Sequence, residues 1–174
     1  SAGVFGGITD FHLQETIATN TTMTVDGRGI FDEHDYKLNL SVEKEKLGYL
    51  RFSVSEFRTW YNGDGGYYPP TATYYGYPGD ALGLDRGDFS IEAGLTLDNL
   101  PKVTFKYDHT FREGEKSSTI WGFTHPAGGA LVRGLSPSIY DIDEKSDIFQ
   151  FDVTHHIKAV DFGAGLRYET GRMD

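Results

Sequence analysis

Apolar and polar residues alternate with a period of two along most of this chain, and such alternation predicts β-strands that each have one apolar face. The clearest segments are Tyr36–Val42, Leu50–Val54, Phe89–Leu95, Val103–Tyr107, Phe149–Val153 and Phe162–Tyr168. Two less regular strands are expected within Gly3–Gln14 and Thr22–Phe31. The pattern therefore predicts about eight strands and no amphipathic helix.

The connections between these strands differ in length in a regular way. Four links are short and lie near Thr16–Asn20, Lys44–Gly48, Asp98–Pro101 and Lys158–Asp161. Between them come one more short turn, Asp32–Asp35, and two long loops at residues 61–87 and 113–146. In an up-and-down meander, successive connections fall at opposite ends, so both long loops share one end. Outer-membrane barrels have this arrangement, whereas a Greek-key sandwich has no reason to sort its loops by length.

The two faces of the predicted sheet differ in chemistry, which assigns an environment to each. One face carries polar side chains that we expect to line a wet lumen: Arg51, Ser53, Ser55, Glu92, Lys106, Asp152 and Arg167. The other carries apolar side chains that we expect to face lipid: Leu38, Leu40, Phe52, Val54, Ile91, Val103, Phe105, Phe151 and Leu166. A charge facing lipid at mid-depth costs roughly 2–4 kcal/mol, so the apolar face is the outer one.

The sequence thus predicts an all-β fold, namely the wall of an antiparallel up-and-down transmembrane β-barrel in a bacterial outer membrane. Residues 1–174 form a single segment whose partner is the lipid bilayer, and the two long loops are extracellular. The strand-like Leu166–Tyr168 runs directly into Gly171–Asp174, so we expect the chain to be a fragment of a longer barrel. A half-buried soluble sheet has the same alternation, which leaves a soluble or surface β-rich binding domain as an alternative.

Composition narrows the classes of function. Only 38% of residues are hydrophobic, while the chain has 22 Gly, 11 Tyr and 12 Phe, a mixture typical of strands and turns. The formal net charge of −10 argues against nucleic acid as a partner. The absence of Cys excludes disulfides, thiolate metal sites and Cys nucleophiles. No phosphate-binding loop precedes a helix and nothing marks a triad, so we expect no catalytic residues and no enzyme activity.

Two clusters in the long loops could bind a ligand. Four carboxylates in the second loop could hold Ca²⁺, but their spacing lacks the Gly and terminal Glu of an EF-hand loop, and a solvated acidic loop is the alternative. Aromatic residues in the first loop could meet a partner or a sugar, or could pack on one another. The carboxylates are Asp141, Asp143, Glu144 and Asp147, and the aromatic residues lie in Tyr67–Pro70 and Tyr74–Tyr77.

Several segments of the chain resemble outer-membrane barrels of the MtrB/PioB type, which associate with decahaem cytochromes. The resemblance is a rhythm of strands and turns that covers essentially the whole chain, and it contains no catalytic signature. The segments that carry it are Asp26–Phe31, Tyr36–Glu43, Gly48–Arg51, Glu56–Tyr61, Glu92–Leu97, Phe111–Gly114, Lys116–Gly122 and Asp143–Asp147.

This resemblance implies a large porin-like barrel that sheaths a periplasmic multihaem cytochrome, which carries electrons across the outer membrane. It implies that haem is bound only by that partner, and this sequence indeed lacks a Cys-x-x-Cys-His motif. Some relatives have a Cys pair ahead of the barrel that is missing here. About eight strands are too few for such a sheath, because an eight-stranded barrel is just filled by its side chains. A general diffusion porin or solute channel is the alternative function.

Overall fold

The computed structural model describes residues 6–31, 33–61, 63–77, 82–125 and 129–173. These residues form ten strands and no helix, so the described part of the chain has no helix long and apolar enough to cross a membrane. The strands are β1 (Gly7–Ala18), β2 (Thr21–Ile30), β3 (Asp35–Lys44), β4 (Gly48–Tyr61), β5 (Gly66–Tyr68), β6 (Thr73–Tyr75), β7 (Leu82–Leu95), β8 (Lys102–Thr124), β9 (Val132–Ile157) and β10 (Val160–Met173).

Eight strands form one main sheet in the order β1-β2-β3-β4-β7-β8-β9-β10, and every neighbouring pair is antiparallel. The two short strands β5 and β6 pair only with each other, within the connection from β4 to β7. The predicted all-β antiparallel meander is therefore confirmed. Among the described residues, β1 and β10 each pair on one side only, so the main sheet has two open edges.

Successive connections of the main sheet alternate between its two ends. The turn end has the links after β1, β3, β7 and β9, and the loop end has those after β2, β4 and β8. At the turn end, Asn20, Lys46, Asn99 and Lys158 have positive φ angles between 54° and 60°, which tight turns require. Neighbouring turns are hydrogen-bonded there, since the Glu45 amide donates to the Asn20 carbonyl at 2.9 Å. The two long connections therefore leave from the same end of the sheet.

The structure departs from the predicted bounds of both long loops. In the second, β8 and β9 pair continuously from Lys102↔Thr154 to Thr124↔Val132, so the segment at 113–146 is mainly strand. In the first, β7 already begins at Leu82, and the β5–β6 hairpin lies within the connection. Positions 62, 78–81 and 126–128 of these segments lie outside the described residues.

The sheet has no apolar core between two layers in the part of the chain that the structure describes. Its buried apolar side chains are confined to the loop end and are Tyr68, Leu82, Leu84 and Ile142. Most large apolar residues elsewhere in the sheet are half-buried or exposed. A soluble sheet normally buries one face, so this distribution needs a separate explanation.

Candidate lipid-facing and lumen-lining surfaces

The strand register places the residues expected to face lipid on one face of the main sheet, here called the apolar face. Side chains alternate between the two faces of a strand, and paired residues of neighbouring strands share a face. Leu40 pairs with Phe52, Phe52 pairs with Ile91, and Phe105 pairs with Phe151, which pairs with Leu166. The same register places all seven residues expected to line a lumen on the opposite face, here called the polar face.

One row of apolar side chains crosses the whole sheet, and shorter apolar stretches lie on either side of it. Rings in these rows contact each other, with centroids 4.9 Å apart for Tyr107 and Phe149 and 5.3 Å apart for Phe52 and Phe89. The central row has one residue from each strand of the main sheet: Leu13, Val25, Leu40, Phe52, Ile91, Tyr107, Phe149 and Tyr168.

The apolar face is accessible in the described part of the chain. Phe105 and Phe151 are each 44% exposed, and Leu166 is 70% exposed. Soluble monomers rarely expose contiguous apolar patches of more than roughly a few hundred Å², whereas the central row alone extends over eight strands. The face is therefore suited to contact with an apolar environment.

The polar face has a network of charges centred on Arg51. Its guanidinium lies 2.8 Å from Glu43 Oε1 and 3.5 Å from Glu92 Oε1, and 4.1 Å above the Tyr49 ring. The Tyr49 hydroxyl donates to Glu92 Oε1 at 2.7 Å. Arg51 and Glu43 are each about half exposed, so these pairs add little stability and mainly fix where the charges stand.

Other residues of the polar face are paired in the same manner. The register places Arg51, Glu92, Lys106 and Arg167 in one row, which Gln150 completes in β9. Ser53 and Ser55 lie in the next two rows toward the loop end, and Asp152 lies one row toward the turn end. The pairs are Ser55 with Asp88, Lys106 with Asp108, Asp152 with Gln150, and Arg167 with Glu169.

One polar cluster lies on the apolar face, at its boundary toward the loop end. Asp147 Oδ1 accepts a hydrogen bond from the Tyr107 hydroxyl at 2.6 Å and lies 2.7 Å from His109 Nδ1. Asp147 was expected in an acidic loop, so its contact with Tyr107 and His109 was not predicted. Its position on the apolar face could have been predicted from its spacing, because Asp147 lies two residues before Phe149 and four before Phe151 in β9.

A second polar cluster lies beyond the apolar rows at the loop end. Ligand atoms of His34, Glu56 and Asp85 lie within 4.8 Å of one another, the spacing that a cation site needs. Arg58, however, donates from Nε and Nη2 to the two Asp85 oxygens, each at 2.6 Å. The carboxylate that a cation would need is thus already engaged.

The carboxylates expected in a Ca²⁺-binding loop lie instead within strand β9. Pairing with β8 keeps this segment extended, so alternate side chains point to opposite faces and the four cannot converge on one ion. The prediction of an acidic loop is therefore wrong. Asp141, Asp143 and Asp147 share one parity and Glu144 has the other, with Glu144 bound to Arg112 and Asp143 to Lys145.

The aromatic segment of the first long connection folds into the β5–β6 hairpin. The Tyr67 and Tyr74 rings pack edge to face with centroids 5.1 Å apart, and the Tyr74 hydroxyl donates to the Asp64 carbonyl. Tyr68 is only 5% exposed, because its ring covers Gly122 in β8 and Gly134 in β9. The hairpin therefore lies against the β8–β9 strand pair.

The site thus consists of two chemically opposite faces of one sheet, with a hairpin at the loop end. Comparison with known protein families, curated proteins and solved structures finds no match for this chain.

Proposed function

We propose that this chain forms the membrane-spanning wall of a bacterial outer-membrane β-barrel, with its polar face lining a conduit. The observation that carries the proposal is the central apolar row, which runs through all eight strands of the main sheet. In a bilayer this row meets hydrocarbon while the charges of the opposite face stay in water. Both long connections leave from the loop end, which supports placing the loop end outside the cell and the short turns of the turn end in the periplasm.

Strand length and charge placement support the same proposal. A tilted transmembrane strand needs about 9–11 residues, and β4 and β7 each have 14. Reversing the sheet, with Arg51, Glu92, Lys106 and Arg167 toward lipid, would cost roughly 2–4 kcal/mol for each basic residue near mid-depth. That cost exceeds the small stabilisation that half-exposed ion pairs provide. The polar face is therefore the one that we assign to the inside of the barrel.

We propose further that the conduit houses a multihaem cytochrome, as the resemblance to MtrB/PioB-type barrels implies. A sheath needs fixed polar groups that position a protein surface, with water filling the gaps. The network around Arg51 supplies such groups. With no Cys in the chain, covalent attachment of haem through thioethers belongs to the partner.

A solute pore is the second candidate function, and the β5–β6 hairpin favours it. The hairpin lies over the β8–β9 pair at the loop end, where a cytochrome in the conduit would need room. A pore tolerates such an element because water and small solutes pass beside it. The two candidates share the barrel wall and differ only in what fills the lumen.

Cysteine accessibility tests the barrel wall, because residues 1–174 contain no Cys. Ser53 and Val54 are neighbours on opposite faces of β4. In the full chain inserted into lipid vesicles, we expect Ser53→Cys to react with a small membrane-impermeant maleimide and Val54→Cys to resist it. Equal labelling of both variants would contradict a membrane wall and favour the soluble or surface β-rich binding domain.

Reconstitution distinguishes the two fillings of the lumen. If the barrel sheaths a cytochrome, the full chain should co-purify with a haem protein, and vesicles holding both should reduce an external acceptor from an internal donor. Ion conductance by the purified barrel, with no haem protein bound and no electron transfer, would exclude the sheath and support the pore.

A further inference from the structure

We propose that the β5–β6 hairpin is folded inward and narrows the conduit at the loop end, so that it sets the size of what enters. This inference rests on the proposed barrel wall. In a conduit that carries solutes, the hairpin limits the size of the solute. In a conduit that holds a protein, it limits how far that protein reaches toward the loop end.

The first support is the position of the buried side chains. Leu84 in β7 pairs with Gly114 in β8, which pairs with Ile142 in β9, so these residues share one face. Leu84 is an even number of residues from Glu92 in β7, and Ile142 is an even number from Gln150 in β9. Side chains at even spacing share a face of a strand, so the shared face is the polar one. Leu84 and Ile142 are 0% and 2% exposed, whereas the apolar face stays accessible. The covering material at the loop end therefore lies on the polar face.

The second support is the contact between the hairpin and two paired glycines. Gly122 and Gly134 are register partners and have the parity of Lys106 and Gln150. A Cβ atom at Gly134 would lie 2.7 Å from Pro70 Cδ, and one at Gly122 would lie 3.1 Å from Tyr68 Cε2. Glycine at both positions lets the hairpin approach the sheet closely.

A third support is the hydrogen bonding that holds the connection in place. The Tyr77 hydroxyl donates to the Ser118 carbonyl of β8 at 3.3 Å. Hydrogen bonds from Thr71 and Ala72 to the carbonyls of Tyr68 and Pro69 close the hairpin turn. The turn bonds keep the hairpin closed, while the contacts of Tyr68 and Pro70 with the two glycines and the Tyr77 hydrogen bond hold it against β8 and β9.

The hairpin can be removed without disturbing the strands on either side. Tyr61 of β4 and Leu82 of β7 are register partners, so the two strands already meet below the hairpin. Replacing residues 63–77 with a short Gly-Ser turn leaves that pairing intact. A second variant, Gly134→Leu, keeps the hairpin but forces it off the sheet through the contact with Pro70.

The test uses the purified full chain in lipid vesicles, with Ser53→Cys as a reporter on the polar face. Impermeant maleimides on polyethylene glycol chains of increasing size are added from the loop side. With the natural hairpin, we expect only the small reagents to react. Removal of the hairpin, or Gly134→Leu, should shift the cut-off to larger reagents. The control Gly29→Leu, whose nearest neighbour would be Tyr36 Cδ1 at 3.8 Å, should leave the cut-off unchanged.

Each outcome has a distinct meaning. An unchanged size cut-off after removal of the hairpin, with Val54→Cys still protected, would overturn the constriction and leave the barrel wall intact. Labelling of Val54→Cys as fast as that of Ser53→Cys would overturn the barrel wall and with it the constriction. A shift in both hairpin variants with Val54→Cys protected supports both.

Discussion

The double substitution Phe52→Arg with Ile91→Arg is expected to abolish insertion of the full chain into lipid vesicles. The two side chains are register partners in the central apolar row. Each Arg near mid-depth on the lipid face costs about 2–4 kcal/mol. Together these costs approach the whole free energy of unfolding of a typical domain, about 5–15 kcal/mol. The folded fraction can be measured by the shift in gel mobility between unheated and boiled samples.

The matched control places the same charges on the other face of the same strands. Ser53 and Ser90 are register partners on the polar face, one position away from Phe52 and Ile91. Ser53→Arg with Ser90→Arg should insert almost as well as the natural chain, because the new charges remain hydrated. Insertion lost equally in both double variants, or retained in both, would show that the two faces do not meet different solvents.

Reversal of one charge on the polar face should change which ions cross the conduit. Arg51 stands between Glu43 and Glu92, so Arg51→Glu brings three carboxylates together. Rings of carboxylates favour cations in aqueous pores. In a purified barrel that conducts, we expect the reversal potential across a salt gradient to shift toward that of the cation. If the lumen instead holds a cytochrome, the same variant should weaken its binding and leave insertion unchanged.

Lys145→Glu is the control for that experiment, since it changes the net charge by the same amount. Lys145 alternates in step with Phe149 and Phe151 along β9, so it lies on the apolar face, and it pairs with Asp143. Its reversal should leave ion selectivity unchanged. Equal shifts for both variants would mean that selectivity follows net charge and not the polar face.

The strands of the main sheet could be predicted from the sequence where both faces have a fixed environment. In β4, for example, Leu50, Phe52 and Val54 alternate with Arg51 and Ser53, and the structure confirms that strand. The alternation is strong over Leu50–Val54 because in that part of β4 one face is apolar and the other is polar. The opposite chemistry of the two faces could therefore be predicted from the sequence alone, without the register of the strands.

The far halves of β8 and β9 were not predictable in the same way. Beyond Gly114 they form a two-stranded ribbon, and Ser117, Ser118 and Ser136 give no apolar period. Where neither face is consistently apolar, periodicity carries no signal and only strand propensity remains. Pro137 also argued against a strand, although it lies at a free edge of β9, where β10 no longer pairs.

The β5–β6 hairpin was missed, although its sequence contained a usable signal. Two Tyr pairs flank the Pro69-Pro70 turn, and aromatic residues on either side of a tight turn favour a hairpin. Its docking on the polar face could not be predicted, because Gly122 and Gly134 become partners only through the β8–β9 register.

The two open edges of the main sheet bear on how such a wall comes into being. In hydrocarbon, each backbone N–H or C=O without a partner costs several kcal/mol. Strands β1 and β10 have 12 and 14 residues, and every second one points its backbone groups away from the sheet. The summed cost at either edge is larger than the stability of a whole domain, roughly 5–15 kcal/mol. For the proposed barrel wall, we therefore expect entry into the bilayer and pairing of both edges to be one cooperative event, in which a ring of strands forms completely or not at all.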